Sequence, residues 1–291
     1  MPANPSNRPR ISEWILGGYF AYTLVLSFVI PLQLAPRSRI CIASLLALGV
    51  LHYVVRIAPQ YVPAVVRNLL PMPGVLLAYT QMGWFATPHE STALEESWLR
   101  WDRMLLENWQ LTESIEALGG LLPGLLELLY LLTYAMGPIG LLVLYLTDRV
   151  EGADKYLALF VASAVGSYAL YPYFPSEPPR TVFPGDMYGQ YDTIFRKLNW
   201  WILGKGGIHT SVFPSGHVSS TFGAGLGLLY SIPERKRFGI AMLLLAVGIA
   251  VATVYGRYHY AVDAVAGIAV SCGASAACVV AFRRRVAAAS S

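Results

Sequence analysis

The stretch Phe238–Phe282, FGIAMLLLAVGIAVATVY-GRYHYA-VDAVAGIAVSCGASAACVVAF, holds two long apolar runs separated by the six residues Gly256–Ala261. Each run is close to the ~20 residues that an α-helix needs to cross a bilayer. Two spanning helices joined by a polar link carrying Arg257, Tyr258, His259 and Tyr260 are therefore expected. Working outward, similar runs occupy Trp14–Leu34, Ile40–Ile57, Leu121–Leu146, Tyr156–Tyr171 and Gly216–Ile232. That makes seven spans. An eighth, Leu69–Phe85, is interrupted by Pro71, Pro73 and Gly74.

The whole chain agrees with this reading. Its 291 residues are 55% apolar and only 13% charged, with a net charge of +4 and a mean hydropathy of +0.50. A soluble domain carries about a quarter charged residues, so a water-soluble surface is excluded. The positive charge is too weak and dispersed for nucleic-acid binding and reads as loop charge that orients the chain in a membrane. Arg8 and Arg10 before the first run have the order of a signal peptide. The run is nevertheless long enough to span, and no small-x-small cleavage site follows it, so it reads as a retained helix. Cys41, Cys272 and Cys278 all lie in apolar runs, without metal-ligand spacing, and read as packing residues.

Orientation follows from the basic residues. The densest clusters are Glu234–Arg237 and Arg283–Arg285, which places both on the cytoplasmic side. Pro172–Pro214 and Gly256–Ala261 then face outward. Arg8 and Arg10 favour a cytoplasmic N-terminus, and both termini can be inside only if the number of spans is even. Parity thus argues that Leu69–Phe85 crosses, giving about eight spans, although Arg37 and Arg39 in the first outer loop count against it. The expected architecture is an all-α polytopic bundle forming one domain, residues 1–291, in the plasma or inner membrane. One segment stands apart. In Ser91–Leu111, Leu94, Trp98, Trp101, Leu105 and Trp109 recur at helical spacing, and Thr92 with Glu95 has the capping-box pattern. An amphipathic interfacial helix is expected there, either bracing the bundle or forming a lip for a lipid.

Ionisable groups near hydrocarbon cost roughly 2.5–3.5 kcal/mol each on insertion scales, so clusters of them at span ends suggest a site. Three clusters occur, all on the expected outer face. In Pro175–Arg180 the prolines stiffen the backbone, and Arg180 can grip phosphate oxygens bidentately; alone, it reads as a headgroup contact, as most interfacial arginines do. In Phe213–His217, a helix N-terminus with Ser215 and Gly216 offers N–H groups to an anion, with His217 near enough to pass a proton. An ordinary capped helix start with an interfacial histidine is the bland alternative. In Tyr255–Asp263, His259 and Asp263 are four apart and share a helix face; the carboxylate can fix the tautomer of a nucleophilic imidazole, or simply satisfy it. Arg257 adds charge suited to phosphate. Together the clusters supply the parts for phosphoryl transfer through a phosphohistidine. His259 attacks, His217 protonates the leaving oxygen, and Arg180, Arg257, Ser215 and Gly216 hold the phosphate. Neither metal nor cofactor is called for. His52 and His89 read as structural, and His209, Lys205, Arg196 and Lys197 as solvated loop charge that can alternatively line a headgroup pocket.

With these residues in place, the chain resembles the type 2 phosphatidic acid phosphatase superfamily, which also contains the vanadium haloperoxidases. Its pattern is a lysine and an Arg-Pro, then Pro-Ser-Gly-His, then an arginine ahead of His-x-x-x-Asp. Pro214–His217 matches the second part, His259 and Asp263 the end of the third, and the likeness runs from about Tyr156 to Phe282. Thr181 follows Arg180 where the family has proline, Tyr173 stands at the lysine, and Thr253 at the usual third-motif arginine, leaving Arg257 to take over. The Pro-Pro-Arg and Arg-Tyr-His-Tyr wording looks more like the inositolphosphotransferase branch, which includes the inositol phosphorylceramide synthases. The resemblance implies His259 as nucleophile, Asp263 as its partner and His217 as acid/base. The function expected is a membrane lipid-phosphate phosphatase or phosphotransferase, or else a transferase moving a phosphoalcohol between lipids. A transporter or a catalytically silent lipid-binding protein is the reading of a different class.

Overall fold

In the computed structural model, residues 9–57, 62–85, 91–185, 191–208 and 212–290 are described. Arg8, His89 and His209 lie outside them. The described residues form helices and connecting turns, with no strand among them. In chain order the α-helices are α1 (Ile11–Val29), α2 (Leu34–His52), α3 (Ala64–Leu69), α4 (Pro71–Trp84), α5 (Ala93–Arg103), α6 (Leu111–Glu116) and α7 (Leu121–Leu132). They continue as α8 (Met136–Leu146), α9 (Ala153–Tyr168), α10 (Pro179–Val182), α11 (Ile194–Gly206), α12 (Gly216–Ser231), α13 (Lys236–Tyr255) and α14 (Ala261–Ser290).

Among the described residues, five segments are long and apolar enough to cross a membrane: Ile11–Val29, Leu34–Arg56, Leu121–Leu146, Pro233–Tyr255 and Ala261–Ala288. The other three expected spans form the shorter helices α4, α9 and α12, of 14, 16 and 16 residues. The run Leu121–Leu146 is broken rather than continuous, with a 3-10 turn at Thr133–Ala135 between α7 and α8. Pro138 accounts for the break: it lacks the N–H that would bond the carbonyl of Tyr134 and crowds that carbonyl.

The centre of the bundle is α9, α12 and α14, where small polar residues and glycines meet beside buried apolar side chains such as Leu157, Val161 and Leu228. Ser167 Oγ donates to Ser219 Oγ at 2.8 Å, Ser219 Oγ to the Ser163 carbonyl at 3.0 Å, and Ser163 and Ser271 hydroxyls meet at 3.2 Å. A Cβ on Gly223 would collide with the Ser163 side chain and come within 2.9 Å of the Leu159 carbonyl; one on Gly267 would lie 2.7 Å from the Ser215 carbonyl. Lipid supplies no hydrophobic drive between helices, so this close backbone approach is what holds them. Gly223→Val is accordingly expected to destabilise the bundle by about 1–3 kcal/mol through overpacking. Thermal unfolding in detergent checks this, with Gly273→Ala as the control, since nothing lies within 4 Å of that position.

Polar contacts mark the two ends of the bundle. At one end, Asp154 accepts from the Ile11 and Ser12 N–H groups, both at 3.1 Å, Arg67 pairs with Glu13 at 2.5 Å, and Arg149 with Glu234 at 2.8 Å. The link before α13 lies here, and Arg285 of α14 shares a groove with Ile11 and Trp14 of α1. Ser215, His259 and Arg180 gather at the other end, away from both basic clusters. Arg37 turns out to serve α1: its Nε donates to the Ser27 carbonyl and its Nη2 to the Leu32 carbonyl, both at 3.0 Å. It therefore satisfies one carbonyl in the last turn of α1 and one in the link that follows it.

The expected capping box at α5 does not form. Thr92 Oγ1 donates to Glu96 Oε1 instead, and Glu95 Oε1 accepts from the Glu177 N–H at 3.1 Å. The tryptophans also do not share one environment: Trp98 is 8% exposed, whereas Trp101 and Trp109 are 63% and 67% exposed. The buried face of α5 is Glu95, Trp98, Leu99 and Asp102, rotated from the aromatic stripe that the spacing suggests. A π turn at Met104–Asn108 follows it.

Candidate active site

The third motif is shaped by its backbone. After α13 the chain turns through Gly256 and Arg257, which has a φ of +60°, a left-handed conformation uncommon for any residue but glycine. The N–H groups of Tyr258 and His259 then both reach the Thr253 carbonyl, at 2.9 and 3.0 Å. Asp263, in the first turn of α14, accepts from the Tyr260 N–H at 3.0 Å, so it caps the helix. The same Oδ2 lies 3.2 Å from His259 Nδ1. That contact fixes the ring and leaves Nε2 pointing away from the carboxylate.

The second motif is fastened directly to the third. The Ser215 N–H donates to the Asp263 carbonyl at 3.0 Å. Ser215 Oγ accepts from the Val218 N–H at 3.3 Å, so the hydroxyl acts as an N-cap. His217 is the second residue of α12, with its Nδ1 3.4 Å from His259 Nε2. It is packed by Tyr130, stacked at 5.3 Å, and by Tyr134, edge-on at 5.6 Å, both set by the kink between α7 and α8. The Gly216 N–H donates to the Tyr171 hydroxyl at 3.2 Å.

The first motif closes the ring. Arg180, on the short α10, donates from Nη1 to the Tyr258 carbonyl at 3.3 Å, and its guanidinium lies 5.7 Å from the centre of the Tyr258 ring. A small cleft is lined by Arg180, His217 and His259 together with Tyr79, Tyr130, Tyr171 and Tyr258, and is closed by Leu203, Ile208 and Val212. Burial, reinforced by the Arg180 charge, lowers the His259 imidazole below the ordinary histidine value. Its neutral form, the one with a lone pair to offer, therefore prevails at neutral pH.

Six of the residues expected from the sequence thus come together: Arg180, Ser215, Gly216, His217, His259 and Asp263. Arg257 does not join them. Its Nη1 is 2.7 Å from Asp102 Oδ2, with neither side chain exposed, and it is not among the residues lining the cleft. The reason is its left-handed backbone, which turns the side chain toward α5. Tyr173 is 56% exposed, with its hydroxyl 3.3 Å from that of Tyr22. Thr253 is buried and holds the motif through its carbonyl. Arg196 lies near Glu127 at 3.9 Å, and Lys197 pairs with Asp192 at 3.1 Å; neither lines the cleft, nor does Lys205. The sequence reading missed the tyrosines, and it also missed Glu127, a buried carboxylate on α7 that accepts from Tyr258 Oη at 2.6 Å and Asn199 Nδ2 at 2.8 Å. Nothing in the spacing of Tyr79, Tyr130 and Tyr171 points to a shared cleft; only packing brings them together.

An imidazole pair backed by one carboxylate and faced by an arginine can exchange protons and stabilise a phosphorane-like charge. Comparison with known proteins gives the family. A PA-phosphatase related-family protein of Dictyostelium discoideum is 29% identical over 128 residues. The alignment covers 40% of this chain and 22% of that protein, so the chain spans well under a third of that relative's length. No solved structure matches the chain. The family model described as the PAP2 superfamily matches residues 96–277, from within α5 to just past the middle of α14. With its helical bundle and well over half its length matched, this chain belongs to the PAP2 superfamily.

Proposed function

We propose that this protein is an integral membrane phosphatase or phosphotransferase acting on a lipid phosphate through a phosphohistidine. The observation that carries the reading is the placement of His259 Nε2 against His217 Nδ1 at 3.4 Å, with Asp263 behind His259 and Arg180 lining the same cleft. The Nε2 lone pair of His259 attacks phosphorus as the ester P–O bond breaks. His217 gives a proton to the departing alkoxide, and Asp263 steadies the imidazolium. Water then attacks the phosphohistidine, His217 takes its proton, and the P–N bond breaks to release phosphate. At 3.4 Å the two rings are in hydrogen-bond contact, so the phosphoryl group enters by separating them.

Arg180 and the first N–H groups of α12 are the phosphate contacts in this reading, with Tyr171 yielding its place on Gly216. Arg180→Lys, which keeps the charge but loses the fork, is expected to lower kcat/KM by about 10²-fold, measured with a lipid phosphate in mixed micelles. The site opens on the outer side, with both termini and the basic clusters cytoplasmic. Eight crossings result, α4, α9 and α12 among them, in a single domain whose catalytic core is about 156–282. Neither metal nor cofactor enters the scheme.

The tyrosine lining of the cleft favours a second reading, in which an alcohol hydroxyl rather than water discharges the intermediate and a headgroup passes between lipids, as in the inositolphosphotransferase branch. Purified protein is given radiolabelled lipid phosphate, with and without inositol lipids and with ceramide or diacylglycerol as acceptors. Free phosphate independent of acceptor supports hydrolysis, whereas a new labelled lipid without phosphate release supports transfer. Turnover that survives both His217→Ala and His259→Ala would overturn both readings.

A further inference from the structure

A single helix outside the motifs touches all three of them. On α5, Glu95 Oε1 accepts from the Glu177 N–H at 3.1 Å, next to the segment carrying Arg180. Trp98 stacks on Phe213 at 5.2 Å, just before the second motif, and meets Tyr260 edge-on at 5.5 Å. Asp102 takes the third: its Oδ2 accepts from Arg257 Nη1 at 2.7 Å and its Oδ1 from the Ala261 N–H at 2.8 Å. Positions 95, 98 and 102 are i, i+3 and i+7, so one face of one helix holds these contacts.

Asp102 bears most directly on the chemistry. It is fully buried, and its two contacts bracket His259, two residues after Arg257 and two before Ala261. The first of them draws on the left-handed Arg257; the second satisfies an N–H at the start of α14. Between those fixed points the chain can place His259 in only a narrow range. We infer that Asp102 is a positioning residue: by gripping Arg257 and the first N–H of α14, it sets His259 against His217 and the bound phosphate. This rests on the reading of His259 as the nucleophile. Asp102 touches neither substrate nor His259, so its effect falls on the geometry of attack and not on binding.

The test compares steady-state kinetics of purified Asp102→Asn, Arg257→Lys, Arg100→Gln and His259→Ala on a lipid phosphate. Asp102→Asn keeps the size of the side chain while weakening both grips, and is expected to lower kcat by about 10- to 100-fold with KM within twofold, because sub-ångström misplacement of a nucleophile costs rate at this scale. Arg257→Lys should fall in the same way. The double variant Asp102→Asn/Arg257→Lys should be no worse than the poorer single, since both break one linkage. Arg100, exposed on the same helix, should tolerate glutamine. If Asp102→Asn proves aggregated by gel filtration, Arg257→Lys alone carries the test. Wild-type kcat in the variant that folds, or an equal loss in Arg100→Gln, overturns the positioning role while His259→Ala remains inactive. Activity in His259→Ala overturns the nucleophile reading instead, and the positioning role with it.

Discussion

Replacing His259 by alanine is expected to reduce turnover of a lipid phosphate by about 10⁴-fold or more, close to 5.5 kcal/mol of barrier at 1.36 kcal/mol per decade. It should also abolish an acid-labile, hydroxylamine-insensitive phosphoenzyme. Both effects trace to one atom, Nε2, which Asp263 leaves available by holding Nδ1 at 3.2 Å. Among the described residues, the cleft's other lining side chains are His217, whose role here is to donate a proton, Arg180, four tyrosines and three aliphatic residues. Asp263→Asn should spare the fold better than Asp263→Ala, because an amide oxygen can still accept from the Tyr260 N–H at the start of α14. It should nonetheless lower the rate strongly, since the neutral amide no longer steadies the developing imidazolium. Brief incubation with ³²P-labelled lipid phosphate, acid quenching and gel autoradiography reads the adduct directly. A label of wild-type intensity in His259→Ala would move the nucleophile elsewhere.

What the sequence made legible divides by the range of the interaction. Apolar run length gave α1, α2, α13 and α14, because a spanning helix satisfies its own backbone and needs no partner to be recognised. The helix start at Ser215 and the His259–Asp263 pair were legible for the same reason: each is a contact within four residues. Arg257 was misassigned because charge and proximity to His259 suggested phosphate, while the left-handed turn that sends it to Asp102, 155 residues away, leaves no local trace. The face of α5 was drawn along the aromatic stripe as a membrane-interface face, but only Trp98 of the three tryptophans is buried; Glu95 and Asp102 are buried beside it, each with a backbone N–H to satisfy it. A spacing of seven between two acids, on the same side as Leu99 and Leu106, was the signal available. Arg37 weighed against an even number of spans as loop charge, although its guanidinium is engaged with the Ser27 carbonyl in the last turn of α1 and the Leu32 carbonyl in the link after it. Of the lining tyrosines, Tyr79, Tyr130 and Tyr171 had no signal, since they come from three separate elements far from the motif that carries Tyr258.

His217→Ala separates proton donation from attack, because its effect should depend on the leaving group. A general acid contributes about 10²- to 10⁴-fold when the departing oxygen is a poor leaving group. An alkoxide released from a lipid phosphate is one, and loss near the upper end of that range is expected with it. An aryl phosphate departs as a stable phenolate that needs little protonation, so formation of the phosphoenzyme from it should fall far less. Dephosphorylation then lacks the base that activates water, and the labelled His259 adduct should accumulate rather than disappear. Removing the ring also removes its contact with His259 Nε2 at 3.4 Å and its stacking on Tyr130, so His217→Gln, which keeps a polar side chain of similar reach, serves as the companion variant. Rapid-quench kinetics on the two substrates measure both steps. Equal losses on alkyl and aryl phosphates, with no build-up of adduct, would mean that His217 shapes the cleft without transferring a proton.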